Sequence, residues 1–487
     1  MRLDGLCRSE LVMKLLVVED KIEEAKVLQE SVQDVDNIQA HFAISRDSAL
    51  VKINSDEFDL VILDLQIPPN DGSLAAHVDH GMMVLETLQQ IQPWSAVYFF
   101  SAFGTVTRVR DILDRNRQED IFGSGDPQSM IRFIEKSELT ECTNAIKAYA
   151  AMLSELEKIV YEGSDINSLS NEHIRLLKLF ARGLKGTKVN AEILTGGKSA
   201  TKTMKILVRD ECDSVKSVAV AKLGKSLKVK DELDGFKEHV SPILPVGSFA
   251  HHISSINVGA RSYGGNFFGL ANQYPSNVYQ VLATDEALAC KVVSKLSEYE
   301  ANWLKNAPSK HFSVASLRNF FMPDDKFAPY RSLFDTDWLT KMEAKEFELT
   351  WCPQHGDLHG FNVLVDDSST PLLIDYVETR QAPAALDPIV LELSIWFHPD
   401  ALFMRQHFAP DFEKWSDLAN YKHTTGYPNF TNECRQWSFG GSKNDAIGAC
   451  VTAFAFCCKQ LKYMDADKRI ATKIAVSALR EAEHLGL

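Results

Sequence analysis

The stretch "HGDLHGFNVLVDDSSTPLLIDY", residues 355–376, decides how the chain is read. It sets Asp357 and Asn362 five apart on a segment that two His-Gly pairs keep out of regular structure, because glycine suits tight turns. "NVLVDD" and "PLLIDY" then read as two strands around the turn-rich "DDSST", a hairpin that returns Asp375 to the side of the loop. An asparagine oxygen and a carboxylate can jointly hold magnesium on a triphosphate. That leaves Asp357 to orient an attacking hydroxyl and accept its proton. Positioning and charge neutralisation supply most of the catalysis in phosphoryl transfer.

Working upstream, "VNAEIL" and "TMKILVRD" read as strands flanking a glycine turn at Gly196 and Gly197, whose bare backbone can approach a triphosphate closely. "GGKS" lacks the upstream glycine of a Walker A motif. "KSVAVAKLG" is a strand carrying Lys222, and "KVKDELDGFKEHV" a helix with Glu232 ten residues later. A strand lysine paired to a helix glutamate, gripping phosphates, is an arrangement kinases use. "HHISSINVGARSYGGNFFGLAN" reads as further strands, with His251 and His252 structural or exposed because no acid or thiol partner has ligand spacing. From about Pro275 onward helical patterns dominate.

At the other end of the chain, "KLLVVED" is a short buried-strand pattern ending in Glu19 and Asp20, followed by the helical "KIEEAKVLQESV". "FDLVILD" ends at Asp64, "AVYFFSA" delivers Ser101 and "MIRFIEK" delivers Lys136, with helical stretches between, as a parallel doubly wound sheet requires. Functional groups on such sheets collect at the carboxyl ends of the strands. Three carboxylates converging there repel one another unless a divalent cation sits among them, and their oxygens suit magnesium.

These N-terminal residues resemble the receiver domain of bacterial response regulators over about Met13 to Leu153. The resemblance implies an acidic metal-binding set of Glu19, Asp20 and Asp64, with Asp64 as phosphoacceptor, and Ser101, Lys136 and Phe133 as the switch. It also implies a two-component phosphorelay with an upstream histidine kinase, and a homodimer through the receiver. Two departures stand out: the segment between Asp64 and Gly81 is longer than the usual loop, and Ser137 stands where the family commonly has proline.

Residues 185 to 487 resemble the aminoglycoside phosphotransferase and choline kinase branch of the protein-kinase-like fold. In that family the aspartate of "HGD" is the catalytic base and the two later residues bind metal, which carries over to Asp357, Asn362 and Asp375. His355 then buttresses the loop, His359 is left open, and Asp387 and Glu392 of "APAALDPIVLELSIWF" are architecture. The implied cofactors are ATP and Mg2+.

The expected architecture is therefore an α/β doubly wound parallel five-stranded receiver domain followed by an α+β two-lobed protein-kinase-like domain. Its expected segments are an N-terminal extension over 1–12, the receiver over 13–153, a linker and helix over 154–184, a small lobe over 185–274 and a large, mainly helical lobe over 275–487. A chain of 487 residues exceeds what one core usually supports. The formal charge of −14 argues against a phosphate-neutralising nucleic-acid surface. "LSNEHIRLLKLFARGLKGTKVNAEIL" has helix-turn-helix features, yet it runs into strand-like alternation, which disfavours DNA binding. Nine scattered cysteines without a CxxC pair suit reduced thiols, and neither a signal peptide nor an apolar run of about 20 residues is present, so a soluble cytoplasmic protein without nucleic-acid or membrane partners is expected. The acceptor is expected to be a small-molecule hydroxyl; a Ser/Thr protein kinase and a catalytically silent scaffold are the alternatives.

Overall fold

A computed structural model describes residues 11–33, 35, 37–102, 116–163, 166–194, 201–270, 274–440 and 443–487. The chain divides into two compact units. The first takes described residues within Met1–Ile193, Gly197–Val229 and His252–Gly269, and the second within Leu194–Gly196, Lys230–His251 and Leu270–Leu487.

The first unit opens with β1 (Met13–Val18), α1 (Ile22–Gln33), β2 (Ile38–Ala43), α2 (Arg46–Ser55), β3 (Leu60–Leu63), α3 (Val78–Ile91), β4 (Ala96–Ser101), β5 (Ile131–Glu135) and α4 (Leu139–Ser154). The strands form a parallel sheet ordered β2-β1-β3-β4-β5. Strands buried on both faces need apolar residues at every position. In β1, Leu15 and Val17 face one core with Leu28 of α1 and Ile146 of α4, while Leu16 and Val18 face another with Ile53 of α2 and Leu85 of α3. This five-stranded parallel sheet is consistent with a receiver fold. The lengthened loop after Asp64 folds back on itself through an Ile67–His77 bridge. It also packs on the start of α2, where the Pro68 and Pro69 carbonyls accept from Arg46 and Asp47 N–H, and Ser45 donates to Asp71 at 2.6 Å.

A second sheet belongs to the same unit. Its strands are β6 (Val160–Tyr161), β7 (Lys188–Ile193), β8 (Lys202–Arg209), β9 (Val215–Lys225), β10 (His251–Ile256) and β11 (Tyr263–Gly269), in the order β10-β11-β9-β8-β7-β6. α5 (Asn171–Gly183) packs between the sheets, and residues 173 to 181 are all buried. One apolar core runs from Leu15 and Tyr149 through Leu177 and Phe180 to Met204, Ile206 and Phe267, with the Phe180 and Phe267 rings stacked at 3.9 Å. The compact division groups residues 201–229 and 252–269, expected in the small lobe, with the five-stranded sheet, because α5 of the expected linker and helix is enclosed between the two sheets. The second half of the helix-turn-helix candidate is strand β7, so that pattern has no recognition helix.

α6 (Ser226–Gly235), followed by one π-helical turn (Phe236–Val240), leads into the second unit. There β12 (Ser276–Asn277), α7 (Val278–Thr284), α8 (Glu286–Leu304), β13 (Ser309–Ser313), β14 (Glu346–Gln354), β15 (Val363–Val365), β16 (Pro371–Leu373) and β17 (Arg380–Pro383) build two three-stranded sheets, β12-β15-β16 and β13-β14-β17. Around them pack α9 (Leu386–Phe397), α10 (Pro428–Phe439), α11 (Lys443–Gln460) and α12 (Lys468–His484), among others. Among the described residues no helix is long and apolar enough to cross a membrane.

Candidate functional site

In the first unit, Glu19 and Asp20 follow β1, Asp64 follows β3 and Ser101 closes β4, all at carboxyl ends of parallel strands. One carboxylate oxygen from each of Glu19, Asp20 and Asp64 lies within 4.8 Å of the others. Lys136, just beyond β5, reaches in with Nζ 2.7 Å from Asp64 and 2.9 Å from Glu19. It also lies 2.9 Å from Glu24 on α1, a residue that sequence reasoning missed although it stands in the first turn after the acidic pair. Burial pushes the Glu19 carboxyl up to about 7 against the pull of Lys136, while Asp64 and Glu19, against burial, hold the Lys136 ammonium above its ordinary value. Asp20 Oδ1 is buried without a hydrogen-bond partner. An orphaned carboxylate oxygen beside two further acids fits a hard divalent cation such as magnesium. Ser101 is fully buried, and Phe133 on β5 pairs in register with Phe99.

In the second unit, β14 delivers the 355–362 loop and β15 with β16 forms the hairpin, pairing Val363 with Leu373. The Asn362 side-chain amide donates to the Asp357 carbonyl at 2.9 Å, which fixes its nitrogen and turns its oxygen elsewhere. The Asn362 carbonyl accepts from Ile374 N–H, and His355 Nε2 donates to the Ile374 carbonyl at 2.9 Å, which fixes the tautomer. Asp357, Asn362 and Asp375 are thereby held around one strand end. Asp375 has φ +67°, a left-handed backbone that a non-glycine residue adopts at a cost of about 1–3 kcal/mol, and such strain clusters at functional sites. Gly356 has φ +79°, and a Cβ there would meet the Glu378 carbonyl at 2.5 Å.

The Asp357 side chain is 50% exposed, with His359 Nε2 at 3.7 Å. Crowding by protein raises its carboxyl above the ordinary range, against the charge of Lys459 and with that of Asp375. Asp387 accepts from the backbone N–H of His355 and Gly356 at 2.5 and 2.8 Å, so it braces the loop. Glu392 pairs with Arg435 and accepts from Trp415 Nε1, deep in helix packing.

Of the nucleotide-gripping candidates, Gly196 and Gly197 lie outside the described residues. Lys222 sits on β9 in the first unit, buried, donating to Thr203 Oγ1 at 3.0 Å. Glu232, on α6 in the second unit, is buried and accepts from Tyr376 N–H at 3.2 Å, one residue past Asp375. His251 is exposed, and His252 meets Ser255 Oγ at 2.8 Å.

No family model and no curated protein matches the chain. Solved structures similar to its N-terminal third include receiver domains. A CheY-like receiver domain protein from Methanospirillum hungatei is 15% identical, covering 30% of this chain and 98% of its own, with a TM-score of 0.22. The receiver domain of NtrX from Brucella abortus is 23% identical over 28% of this chain and 96% of its own, with a TM-score of 0.21. The signal receiver domain of an HD domain-containing protein from Pseudomonas fluorescens is 18% identical over 32% and 99%, with a TM-score of 0.23.

Proposed function

We propose that the chain is a signal-regulated, ATP-dependent phosphotransferase that moves the γ-phosphoryl group to a hydroxyl of a small molecule, under control of phosphorylation at Asp64. The observation that carries the reading is the closure of Asp357, Asn362 and Asp375 around one strand end by the bonds from Asn362 to the Asp357 carbonyl and from Ile374 to the Asn362 carbonyl. Asp357, raised above its ordinary value yet open to solvent, orients the acceptor hydroxyl and takes its proton. Asn362 Oδ1 and the Asp375 carboxylate are the oxygens that would hold Mg2+. When bound, that ion neutralises charge on the transferred phosphoryl oxygens. In the receiver, Asp64 accepts phosphate from a histidine kinase, and Glu19, Asp20 and Asp64 are the acids that would hold a second magnesium.

The test incubates the full chain with labelled ATP, magnesium and a panel of small-molecule and protein acceptors. Transfer to small molecules is expected, abolished by Asp357→Asn with nucleotide binding largely kept, while Asp375→Ala weakens magnesium-nucleotide binding itself. Equal nucleotide affinity in wild type and Asp375→Ala sinks the metal assignment. Nucleotide binding without transfer to any acceptor favours a silent scaffold.

A further inference from the structure

Resting on the reading of residues 355–376 as a catalytic loop, we infer that Glu300 and Asp387 share one proton and that Glu300, the protonated partner, is a positioning residue for that loop. Glu300 lies on α8 at 2% exposure and Asp387 on α9 at 0%. Both Glu300 oxygens are buried without any donor, and among the described residues no lysine, arginine or histidine pairs with them. The two carboxyls face one another, the thiol of Cys352 on β14 faces both, and the His355 imidazole faces Asp387. Two adjacent buried carboxylates, neither of them in an ion pair among the described residues, cannot both ionise, so one keeps its proton.

The surroundings assign it. Asp387 receives two backbone N–H bonds, from His355 and Gly356, and these favour its charged form. Glu300 receives none, and burial first, then the charge and hydrogen bond of Asp387, hold its carboxyl well above the ordinary range. The Glu300 O–H therefore donates to Asp387. A third donor leaves the Asp387 carboxylate little freedom to rotate, and that carboxylate holds the two amides immediately before Asp357. Were Glu300 to ionise, repulsion would drive the two carboxylates apart and move those amides.

The sign of the pH dependence follows by linkage. From the ordinary value of 4.5 upward the unfolded chain releases the Glu300 proton while the folded chain keeps it, so this group lowers stability as pH rises through that window. Glutamine donates an N–H in the same place and does not titrate. The experiment measures urea unfolding of the full-length wild type and Glu300→Gln across pH, by the six tryptophans of the second unit, together with kcat and KM where transfer occurs. We expect the wild-type unfolding constant to rise about tenfold more per pH unit than that of Glu300→Gln. Glu300→Gln should keep kcat, and Glu300→Ala should lower it about tenfold or more with less change in nucleotide KM. Equal pH slopes in wild type and Glu300→Gln overturn the inference whether or not the chain transfers phosphate, so its failure is distinct from that of the kinase reading. Should Glu300→Gln not fold, infrared spectra of wild type labelled with carbon-13 glutamate decide: a protonated glutamic carboxyl at about pH 8 supports the pair. Ionised bands alone refute it.

Discussion

Asp59, just before β3, is a buried charge bonded by two arginines, and replacing it by alanine tests how the five-stranded sheet is joined to the six-stranded one. Its side chain is 2% exposed and lies 2.8 Å from Arg175 on α5 and 3.1 Å from Arg261 beside β11, while Lys14 N–H donates to it at 2.8 Å. Arg261 keeps Glu172 and the Val12 carbonyl as partners when Asp59 is lost. Arg175 does not: its Nε and Nη2 already lack partners, and its Nη1 bonds Asp59 alone. Stranding one buried charge costs about 3–5 kcal/mol, and that is the expected loss in Asp59→Ala. Replacing Asp59, Arg175 and Arg261 together by apolar residues of similar volume should recover most of it, since the desolvation cost of all three charges disappears as well. Fluorine NMR of fluorotryptophan-labelled protein in urea gives the measurement, because Trp94 is the one tryptophan in the first unit. The arginines hold the Asp59 pKa below its ordinary value of 3.8 despite burial, so its contribution is present above that value and lost as pH falls through the lower folded pKa. A loss below about 1 kcal/mol in Asp59→Ala, within the range of an exposed pair, would refute the reasoning.

Gly356→Ala should destabilise the second unit by about 2 kcal/mol or more, since a Cβ would strike the Glu378 carbonyl on a left-handed backbone; an unchanged urea midpoint contradicts this. Glu24→Gln removes a carboxylate that competes with Asp64 for Lys136, so a beryllofluoride phosphate mimic should bind several-fold more tightly, and equal or weaker binding in a titration refutes the competition. Asp64→Ala should abolish binding of the mimic, and retained binding would remove Asp64 as the acceptor.

Much of this architecture is legible because its signals are local. The runs "KLLVVED" and "FDLVILD" are apolar on both faces, as buried parallel strands must be, and each ends in the acid that the sheet then gathers. The His-Gly loop and the turn "DDSST" likewise enclose the hairpin that places Asp375. The edge strand β2 is not legible, because "IQAHFA" mixes polar residues and is fixed by backbone pairing to β1. Nor is the enclosure of α5, since Arg175 and Lys178 read as solvent charges while their acids, Asp59 and Glu157, stand 116 and 21 positions away. Glu300 in "SEYEANW" looks like any exposed helix glutamate, and its helix α8 is covered by α10 and β14, which arrive from far along the chain.

The position of Asp59 limits how a phosphate on Asp64 can act. The two aspartates flank the same four-residue strand, β3, one before Leu60 and one after Leu63. Coupling free energies between sites are typically about 1–3 kcal/mol, which is less than the cost of about 3–5 kcal/mol for breaking the buried Asp59 cluster. On the proposed phosphorylation of Asp64, the five-stranded sheet is therefore expected to stay on the six-stranded sheet at this contact, although a polar linker at 161–171 invites a hinged picture. Lys225 and Ser262 reinforce the join by bonding Glu57 at 3.0 and 2.6 Å. What remains within reach of that energy is the pocket itself: Lys136 leaving Glu24 for the new phosphate oxygens, and α4, which begins three residues after Lys136 and whose Tyr149 hydroxyl donates to the Asp59 carbonyl. In the proposed function, then, the receiver and the six-stranded sheet respond as one body, and the signal leaves through surfaces around Lys136 and α4 rather than through a swinging domain.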